Sequence, residues 1–237
     1  MRAQLIVALD LPTINAVPNI VDRLPDTVSW YKIGLELFAG NGPAVFDYLL
    51  NKGKNIFLDL KLHDIPRTVE RAVKSIAAHN VAMITVHASG GKDMLKAAAD
   101  AANTCSFKPK IVAVTTLTSL NQKDLNELDI QCSVAEHTAV LGNLAISCGL
   151  DGLVCSAFEA ESLRKKFGDA PVLVTPGIRP AGTDAGDQKR IATPSIAVRN
   201  GSNFLVVGRP ILEAENPASA VINILQEMQA ENANEWQ

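Results

Sequence analysis

The sequence predicts a single (β/α)8 barrel, an α/β fold in which eight parallel strands alternate with eight helices. Eight short apolar runs recur along the 237 residues, and each is followed by a segment with helical spacing or helix signals. The runs are continuously apolar, which is typical of parallel strands covered on both faces. An open doubly wound sheet is the alternative, but no GxGxxG follows the first run. No linker or composition break divides the chain, so one domain is expected over 1–237.

The predicted strands are short runs rich in Val, Ile and Leu. They cover residues 5–9, 28–33, 55–60, 83–87, 110–115, 152–155, 172–175 and 204–207. The predicted helices cover residues 14–24, 44–51, 69–79, 92–102, 134–147, 159–167, 194–199 and 217–229. The sixth strand is delayed by a polar segment at 121–131, where we expect an additional short helix. The tail at 231–237 is expected to fray.

Composition narrows the class of protein. The chain is 47% hydrophobic and 20% charged, which is enough to bury a core. The net charge is −3 and no basic block is present, which disfavours a nucleic-acid surface. The first apolar run is too short for a signal sequence, and no run approaches the length of a membrane span. The cysteines form no CxxC pair and lie far from any His cluster, so we expect no zinc site, no disulfide framework and a reduced, cytoplasmic protein. They are Cys105, Cys132, Cys148 and Cys155.

The third apolar run ends in charge, at Asp59, Lys61 and Asp64. Strand side chains alternate between faces, so Asp59 and Lys61 share one face, and the leucines at 58, 60 and 62 take the other. Charges at the end of an apolar strand cost free energy unless they are paired or used. Pro66 suits the first turn of a helix, because its missing N–H would be unpaired there. The charges are therefore predicted at a strand-to-helix corner.

Barrel enzymes build their sites at the carboxyl ends of the strands, where Asp10 and Lys32 join this cluster. A structural ion-pair network is one interpretation. Buried ion pairs rarely stabilise a fold more than apolar packing does, so two Lys and three Asp at one mouth favour a functional site. A Lys between carboxylates keeps its proton and can act as a positioned proton donor.

The loops after strands 7 and 8 predict a phosphate site. Gly208 lets the backbone approach an anion, and Arg209 and Arg179 supply guanidinium groups. The Gly-rich segment 177–188 is expected to form a mobile lid, with an ordinary solvated loop as the alternative. Ser89-Gly90-Gly91 ranks second as an anion site because no Arg lies near it in the sequence. His87 is predicted as a hydrogen-bonded residue of the rim. Thr118 and Ser119 could contact a polar ring edge or cap a loop.

These residues closely resemble the orotidine 5′-phosphate decarboxylase family, in particular its bacterial form. The resemblance rests on FLDLKLHDIPRT at 57–68, ALD at 8–10, YKIG at 31–34, TPGIRP at 175–180 and VVGRPI at 206–211. It implies a (β/α)8 barrel that forms homodimers with active sites shared across the interface. It also implies decarboxylation of orotidine 5′-monophosphate to UMP and CO2 without metal or cofactor, the last step of de novo pyrimidine synthesis.

The resemblance also implies a role for each matching residue. Lys61 would protonate the C6 carbanion, within a charged group of Lys32, Asp59, Lys61 and Asp64. Asp64 and Thr68 would reach the site of the other subunit. The substrate contacts would come from Asp10 and Lys32 at the ribose, Thr118 and Ser119 at the pyrimidine, and Arg179, Gln188, Gly208 and Arg209 at the phosphate and lid.

Two other functions stay open at this point. A sugar-phosphate decarboxylase or aldolase of the same barrel superfamily resembles the chain in its DxKxxD block, and those relatives use Mg²⁺. The IPRT segment at 65–68 and Lys32 favour the orotidine reaction instead. A non-catalytic sensor of phosphate ligands is the third hypothesis, and it predicts binding without turnover.

Overall fold

The computed structural model describes residues 3–180 and 192–234, with side chains as far as residue 230. Eight parallel strands pair in chain order and close between the last and the first, which confirms the predicted (β/α)8 barrel. The strands are β1 Gln4–Ala8, β2 Trp30–Gly34, β3 Asn55–Leu62, β4 Met83–His87, β5 Lys110–Val114, β6 Gly152–Val154, β7 Val172–Thr175 and β8 Phe204–Val207. Each begins within two residues of its predicted start.

Helices follow the strands and cover the outside of the barrel. The described ones are α1 Ala16–Val21, α2 Leu35–Asn41, α3 Ala44–Asn51, α4 Pro66–Ala77, α5 Gly91–Asn103, α6 Gln122–Glu127, α7 Val134–Ser147, α8 Ala157–Phe167, α9 Pro194–Arg199, α10 Arg209–Leu212 and α11 Pro217–Asn234. The short helix expected near 121–131 is α6, which begins with a capping box of Asn121 and Asp124. Helices α2 and α10 were not predicted, because each is short and starts directly after a strand. The last three residues of the tail expected to fray lie outside the described residues.

The strands separate two apolar layers. One face of each strand packs against the helices, as the buried Leu58 does, and Leu60 and Leu62 pack against the same layer. The other face fills the barrel interior, where Trp30 meets Phe204 edge to face at 5.1 Å between ring centroids. The predicted alternation in β3 is therefore confirmed. The interior is apolar near the amino ends of the strands, so polar inward side chains concentrate at the carboxyl ends.

The connection from β3 to α4 follows the predicted corner. Pro66 occupies the first turn of α4, after Ile65 in an extended conformation. Within the described part of the chain, no helix is long and apolar enough to cross a membrane.

Candidate active site

A cavity of about 550 Å³ opens at the carboxyl end of the barrel. Ala8, Phe57, Val154 and Val206 line its apolar part, and all four belong to or pack against the cluster that fills the barrel interior. Polar side chains line the rest. The cavity therefore sits on top of a packed core, at the end where parallel barrels place their sites.

Four side chains from the first three strands form a continuous chain of ion pairs, here called the charged array: Asp10, Lys32, Asp59 and Lys61. The Lys32 ammonium lies 2.7 Å from Asp10 Oδ1 and 3.9 Å from Asp59 Oδ2. The Lys61 ammonium lies 2.9 Å from the same Asp59 oxygen. Only 12% of the Lys32 side chain and 14% of the Asp59 side chain are exposed, so both charges are largely removed from water and need these partners.

Strand register explains why the array fits. Lys32 pairs laterally with Ala8 on one side and Phe57 on the other, and Gly34 pairs with Asp59. Gly34 thus shares the inward layer of Asp59, and its missing side chain leaves the space that the Lys32 ammonium fills. A Cβ on Gly34 would lie 2.8 Å from Lys32 Nζ and 3.1 Å from Asp10 Oδ1. The array therefore depends on a glycine at this position.

Lys61 itself has an unusual backbone. Its φ is +52°, a left-handed conformation that non-glycine residues rarely adopt. The pairing of β3 with β4 shifts register between Leu58 and Leu62, so Lys61 lies within an irregular part of the strand. Strained residues of this type persist where the surrounding structure holds them, and they cluster at functional sites.

Thr85 supports this irregular part of the strand and was not predicted as a site residue. Thr85 is completely buried on β4, and its hydroxyl contacts both Asp59 and the Lys61 backbone. It has the same inward parity as His87, two residues later. Strand parity could therefore have identified it, although threonine in a strand carries no chemical signal of its own.

The single chain does not bring Asp64 or Thr68 into the charged array. Asp64 is exposed, and its Oδ1 accepts a hydrogen bond from the Ile65 N–H at 2.7 Å. Thr68 is exposed in the first turn of α4, and Ile65 is 68% exposed. Neither Asp64 nor Thr68 lines the cavity. Both lie on an outward-facing corner directly after the strand that carries Asp59 and Lys61.

A second group, the arginine wall, lines the same cavity from the ends of β7 and β8. It consists of Gly177, Arg179, Gly208 and Arg209. Arg179 is only 7% exposed, and its Nη1 donates to the Ile178 carbonyl at 3.0 Å. Gly177 has φ +79°, which suits glycine. The structure thus brings together the described members of the predicted phosphate group. Gln188 and the rest of the predicted lid beyond Pro180 lie outside the described residues.

The segment after β5 contributes two neighbouring threonines. Thr118 lines the cavity, whereas the adjacent Ser119 is exposed and does not. Thr116, which the sequence analysis did not identify, is buried in the cavity lining. Its hydroxyl accepts from Thr138 at 2.8 Å and lies 3.1 Å from His137 Nδ1. These contacts tie the segment to α7 and fix where Thr118 lies.

His87 lies beside the array and does not line the cavity. Its ring contacts the His63 ring, with 5.4 Å between centroids. Partial burial lowers the pKa of His87, and the neighbouring His63 and Lys61 lower it further. The rival anion segment at 89–91 is a tight turn that leads into α5. A Cβ on Gly90 would meet Met94 Sδ at 2.3 Å, so this glycine serves close packing.

Two carboxylates at the cavity were not predicted. Glu36 lies in the first turn of α2, and Glu213 follows α10. Both were missed because the two short helices that place them were missed. The cavity thus contains acidic groups outside the charged array.

Comparison with known proteins gives one consistent result. Residues 3–224 match the sequence model described as "Orotidine 5'-phosphate decarboxylase / HUMPS family". The orotidine 5′-phosphate decarboxylase of Teredinibacter turnerae is 47% identical over 226 residues, which cover 95% of this chain and 97% of that protein. The enzyme of the same name from Idiomarina loihiensis is 46% identical and covers 92% of this chain and 95% of its own.

Solved structures agree with these sequence matches. The crystal structure of orotidine 5′-phosphate decarboxylase from Lactobacillus acidophilus has a TM-score of 0.83 and 39% identity, covering 95% of this chain and 99% of that one. A structure of the same name from Pyrococcus horikoshii OT3 has a TM-score of 0.77 and 22% identity, over 95% and 99% of the two chains. The second likeness concerns the fold alone.

Proposed function

The chain belongs to the orotidine 5′-phosphate decarboxylase / HUMPS family, and we propose that it converts orotidine 5′-monophosphate to UMP and CO2. It is then a carboxy-lyase of pyrimidine biosynthesis. The observation that carries the proposal is the charged array of Asp10, Lys32, Asp59 and Lys61 in one cavity with Arg179 and Arg209. The cavity thus offers an ammonium group for the reacting carbon and guanidinium groups for the phosphate, as the proposed reaction needs.

The proposed chemistry centres on Lys61. Loss of CO2 from C6 of the pyrimidine leaves the electron pair of the broken C–C bond on carbon, with little resonance stabilisation. A fixed ammonium aimed at that carbon stabilises the developing charge and then delivers its proton, which gives UMP. Electrostatic preorganisation of this type is usually the largest single contribution to catalysis. Asp59 holds the Lys61 ammonium at 2.9 Å, so the donor needs no reorganisation during the reaction.

Asp59 has a second proposed role, beside the carboxylate of the substrate. Repulsion between two carboxylates would raise the energy of the bound substrate and favour CO2 loss. Ground-state destabilisation of this type is a contested explanation. We therefore place it second to carbanion stabilisation by Lys61.

Substrate binding is assigned to the remaining residues of the site. Arg179, Arg209, Gly208 and Gln188 would hold the phosphate, since a guanidinium can bind phosphate oxygens through two parallel hydrogen bonds. Asp10 and Lys32 would hold the ribose. Thr118 and Ser119 would contact the pyrimidine edge, and of the two Thr118 lines the cavity in this structure.

The phosphate is remote from C6 and does not react, so its binding energy can contribute to catalysis only indirectly. Interactions with a non-reacting group can drive loop closure and the assembly of the charged array. Phosphate binding should therefore raise turnover as well as affinity. The reaction transfers no electrons to a carrier, and the proton comes from an amino-acid side chain, so no cofactor is included in the proposal.

A homodimer with shared sites completes the proposal. Asp64 and Thr68 are exposed on the corner after β3 and outside their own cavity, and the nearby Ile65 is 68% exposed. These features support an interface at this corner, through which Asp64 and Thr68 reach the partner's substrate. The four widely spaced cysteines support a cytoplasmic location.

The decisive test is the loss of orotidine 5′-monophosphate absorbance with EDTA present. We expect turnover at the same rate with and without the chelator. Turnover that disappears in EDTA and returns with Mg²⁺ would favour a metal-dependent sugar-phosphate enzyme. Binding of UMP without turnover under both conditions would favour a sensor and contradict the proposal.

Subunit exchange tests the shared site. Lys61→Ala and Asp64→Ala homodimers should each be inactive, and mixing them should restore part of the activity. Recovery is expected because a mixed dimer contains one site with an intact Lys61 and an intact Asp64. If no activity returns although mixed dimers form, Asp64 acts within its own chain.

A further inference from the structure

The hydroxyl of Thr85 joins the two central residues of the charged array. It donates a hydrogen bond to Asp59 Oδ1 at 3.1 Å and accepts one from the Lys61 backbone N–H at 2.8 Å. A threonine hydroxyl has a single proton, so the donor bond to Asp59 uses it completely. The two bonds therefore fix the direction in which the hydroxyl points. The side chain is fully buried and does not line the cavity.

The bond to Lys61 compensates for the irregular strand. The register of β3 against β4 shifts between Leu58 and Leu62, and Lys61 adopts φ +52° within that interval. A buried backbone N–H in an irregular segment needs a partner outside the regular ladder. Thr85 supplies that partner from the neighbouring strand, so one side chain holds the unusual conformation of Lys61.

The bond to Asp59 fixes the other half of the ion pair. Asp59 Oδ1 faces Thr85, and Oδ2 accepts from the Lys61 ammonium at 2.9 Å. The carboxylate is therefore held at both oxygens, which sets its rotation. Thr85 thus holds both the Lys61 backbone and the carboxylate that pairs with the Lys61 ammonium.

We propose that Thr85 is a positioning residue for the reaction, acting through Asp59 and Lys61 without touching the substrate. The inference rests on the proposed function, in which Lys61 protonates C6. It assigns to β4 a part in catalysis, beside the strands that carry the array. Displacement of a catalytic group by about 1 Å can cost roughly 100-fold in rate, so loss of this support should be visible in turnover.

The test compares three variants. Thr85→Val keeps the shape of the side chain and removes both hydrogen bonds. Thr85→Ser keeps the hydroxyl and removes a methyl group. Thr175→Val is the matched control. Thr175 is also a fully buried strand threonine, its hydroxyl lies 2.7 Å from the Ser202 hydroxyl, and neither residue lines the cavity.

The expected pattern separates positioning from folding. In Thr85→Val, kcat should fall by about 10- to 100-fold, whereas KM and the dissociation constant of UMP should stay within about threefold. Thr85→Ser should retain kcat within about threefold, because it keeps both hydrogen bonds. Thr175→Val should retain kcat even if its melting temperature falls.

If Thr85→Val does not fold, Thr85→Cys replaces it. The kcat of Thr85→Cys should lie below that of Thr85→Ser, because a thiol is a weak hydrogen-bond donor.

The inference would be overturned if Thr85→Val, or Thr85→Cys where it replaces that variant, had the same kcat as Thr175→Val. It would also be overturned if Thr85→Ser were as slow as Thr85→Val. Hydrogen exchange of the Lys61 amide adds a readout that needs no turnover. The amide should exchange faster in Thr85→Val and at the wild-type rate in Thr85→Ser, and equal exchange in all three proteins would also overturn the inference. A wild-type protein without turnover would instead contradict the proposed function.

Discussion

The two polar regions of the cavity are built in different ways. The charged array comes from β2, β3 and the segment directly after β1, and it pairs each Lys with an Asp at 2.7 to 2.9 Å. The arginine wall comes from the residues after β7 and β8, where glycines adjoin Arg179 and Arg209. Strands hold side chains at fixed spacing, whereas loops adapt to a ligand more readily. In the proposed function, Asp59 and Lys61 of the array serve the chemical step and the arginine wall serves the remote phosphate.

This division predicts that substitutions in the two regions differ in how strongly they affect turnover and the binding of phosphate-bearing ligands. A change at Asp59 or Lys61 should lower kcat, because it removes an interaction that strengthens in the transition state. A change in the arginine wall should weaken the binding of every ligand that carries a phosphate, and it should also lower kcat to a smaller degree, because phosphate binding helps to assemble the array.

Lys61→Ala should have the largest effect. It removes both the charge opposite the carbanion and the proton that C6 receives, so kcat should fall by about 10⁴-fold or more. The absorbance of orotidine 5′-monophosphate measures the rate. Lys165→Ala is the control, because Lys165 is an exposed helix residue paired with Glu161. Substantial activity in Lys61→Ala would remove Lys61 as the proton donor.

Arg209→Ala should have the next largest effect, and it should depend on the ligand. Loss of charge-assisted hydrogen bonds to the phosphate should weaken UMP by about 10- to 100-fold. Uridine, which lacks the phosphate, should bind as it does to the wild type. Calorimetric titrations with both ligands measure the difference, and the exposed Arg23 offers the control Arg23→Ala. An equal loss for uridine and UMP would contradict the assignment.

Gly34→Ala tests how tightly the array is packed. The added Cβ would lie 2.8 Å from Lys32 Nζ, so the ammonium must move away from Asp10 and Asp59. We expect kcat to fall by about tenfold, since Lys32 supports the array without delivering the proton. Gly40→Ala in the same region is the control, because its nearest neighbour would be a carbonyl oxygen 3.8 Å away. Wild-type kcat in Gly34→Ala would show that the position of Lys32 is not critical.

Most of the fold and of the charged array could be predicted from the sequence, for a physical reason. In a parallel barrel, apolar runs specify strands, and the polar residue that ends each run reaches one rim. Asp10, Lys32, Asp59 and Lys61 could therefore be placed together without coordinates. The alternation in β3 was predicted correctly as well, although the left-handed conformation of Lys61 was not.

The rest depended on contacts that the sequence does not encode locally. Thr85 matters because a register shift brings the Lys61 N–H to its hydroxyl, and no local pattern signals such a shift. Glu36 lies in a helix of seven residues and Glu213 follows one of four residues, and both helices are too short for a periodic signal. Asp64 is exposed and does not line its own cavity, so the role proposed for it depends on a second chain.

Titration of Lys61→Ala with UMP tests most directly whether Lys61 serves the chemical step while the arginine wall serves binding. We predict that this variant binds UMP within about tenfold of the wild-type affinity, although its turnover is lost, because the groups that hold the phosphate are unchanged. A loss of UMP affinity as large as the loss of turnover would contradict the account, since Lys61 would then act in nucleotide binding.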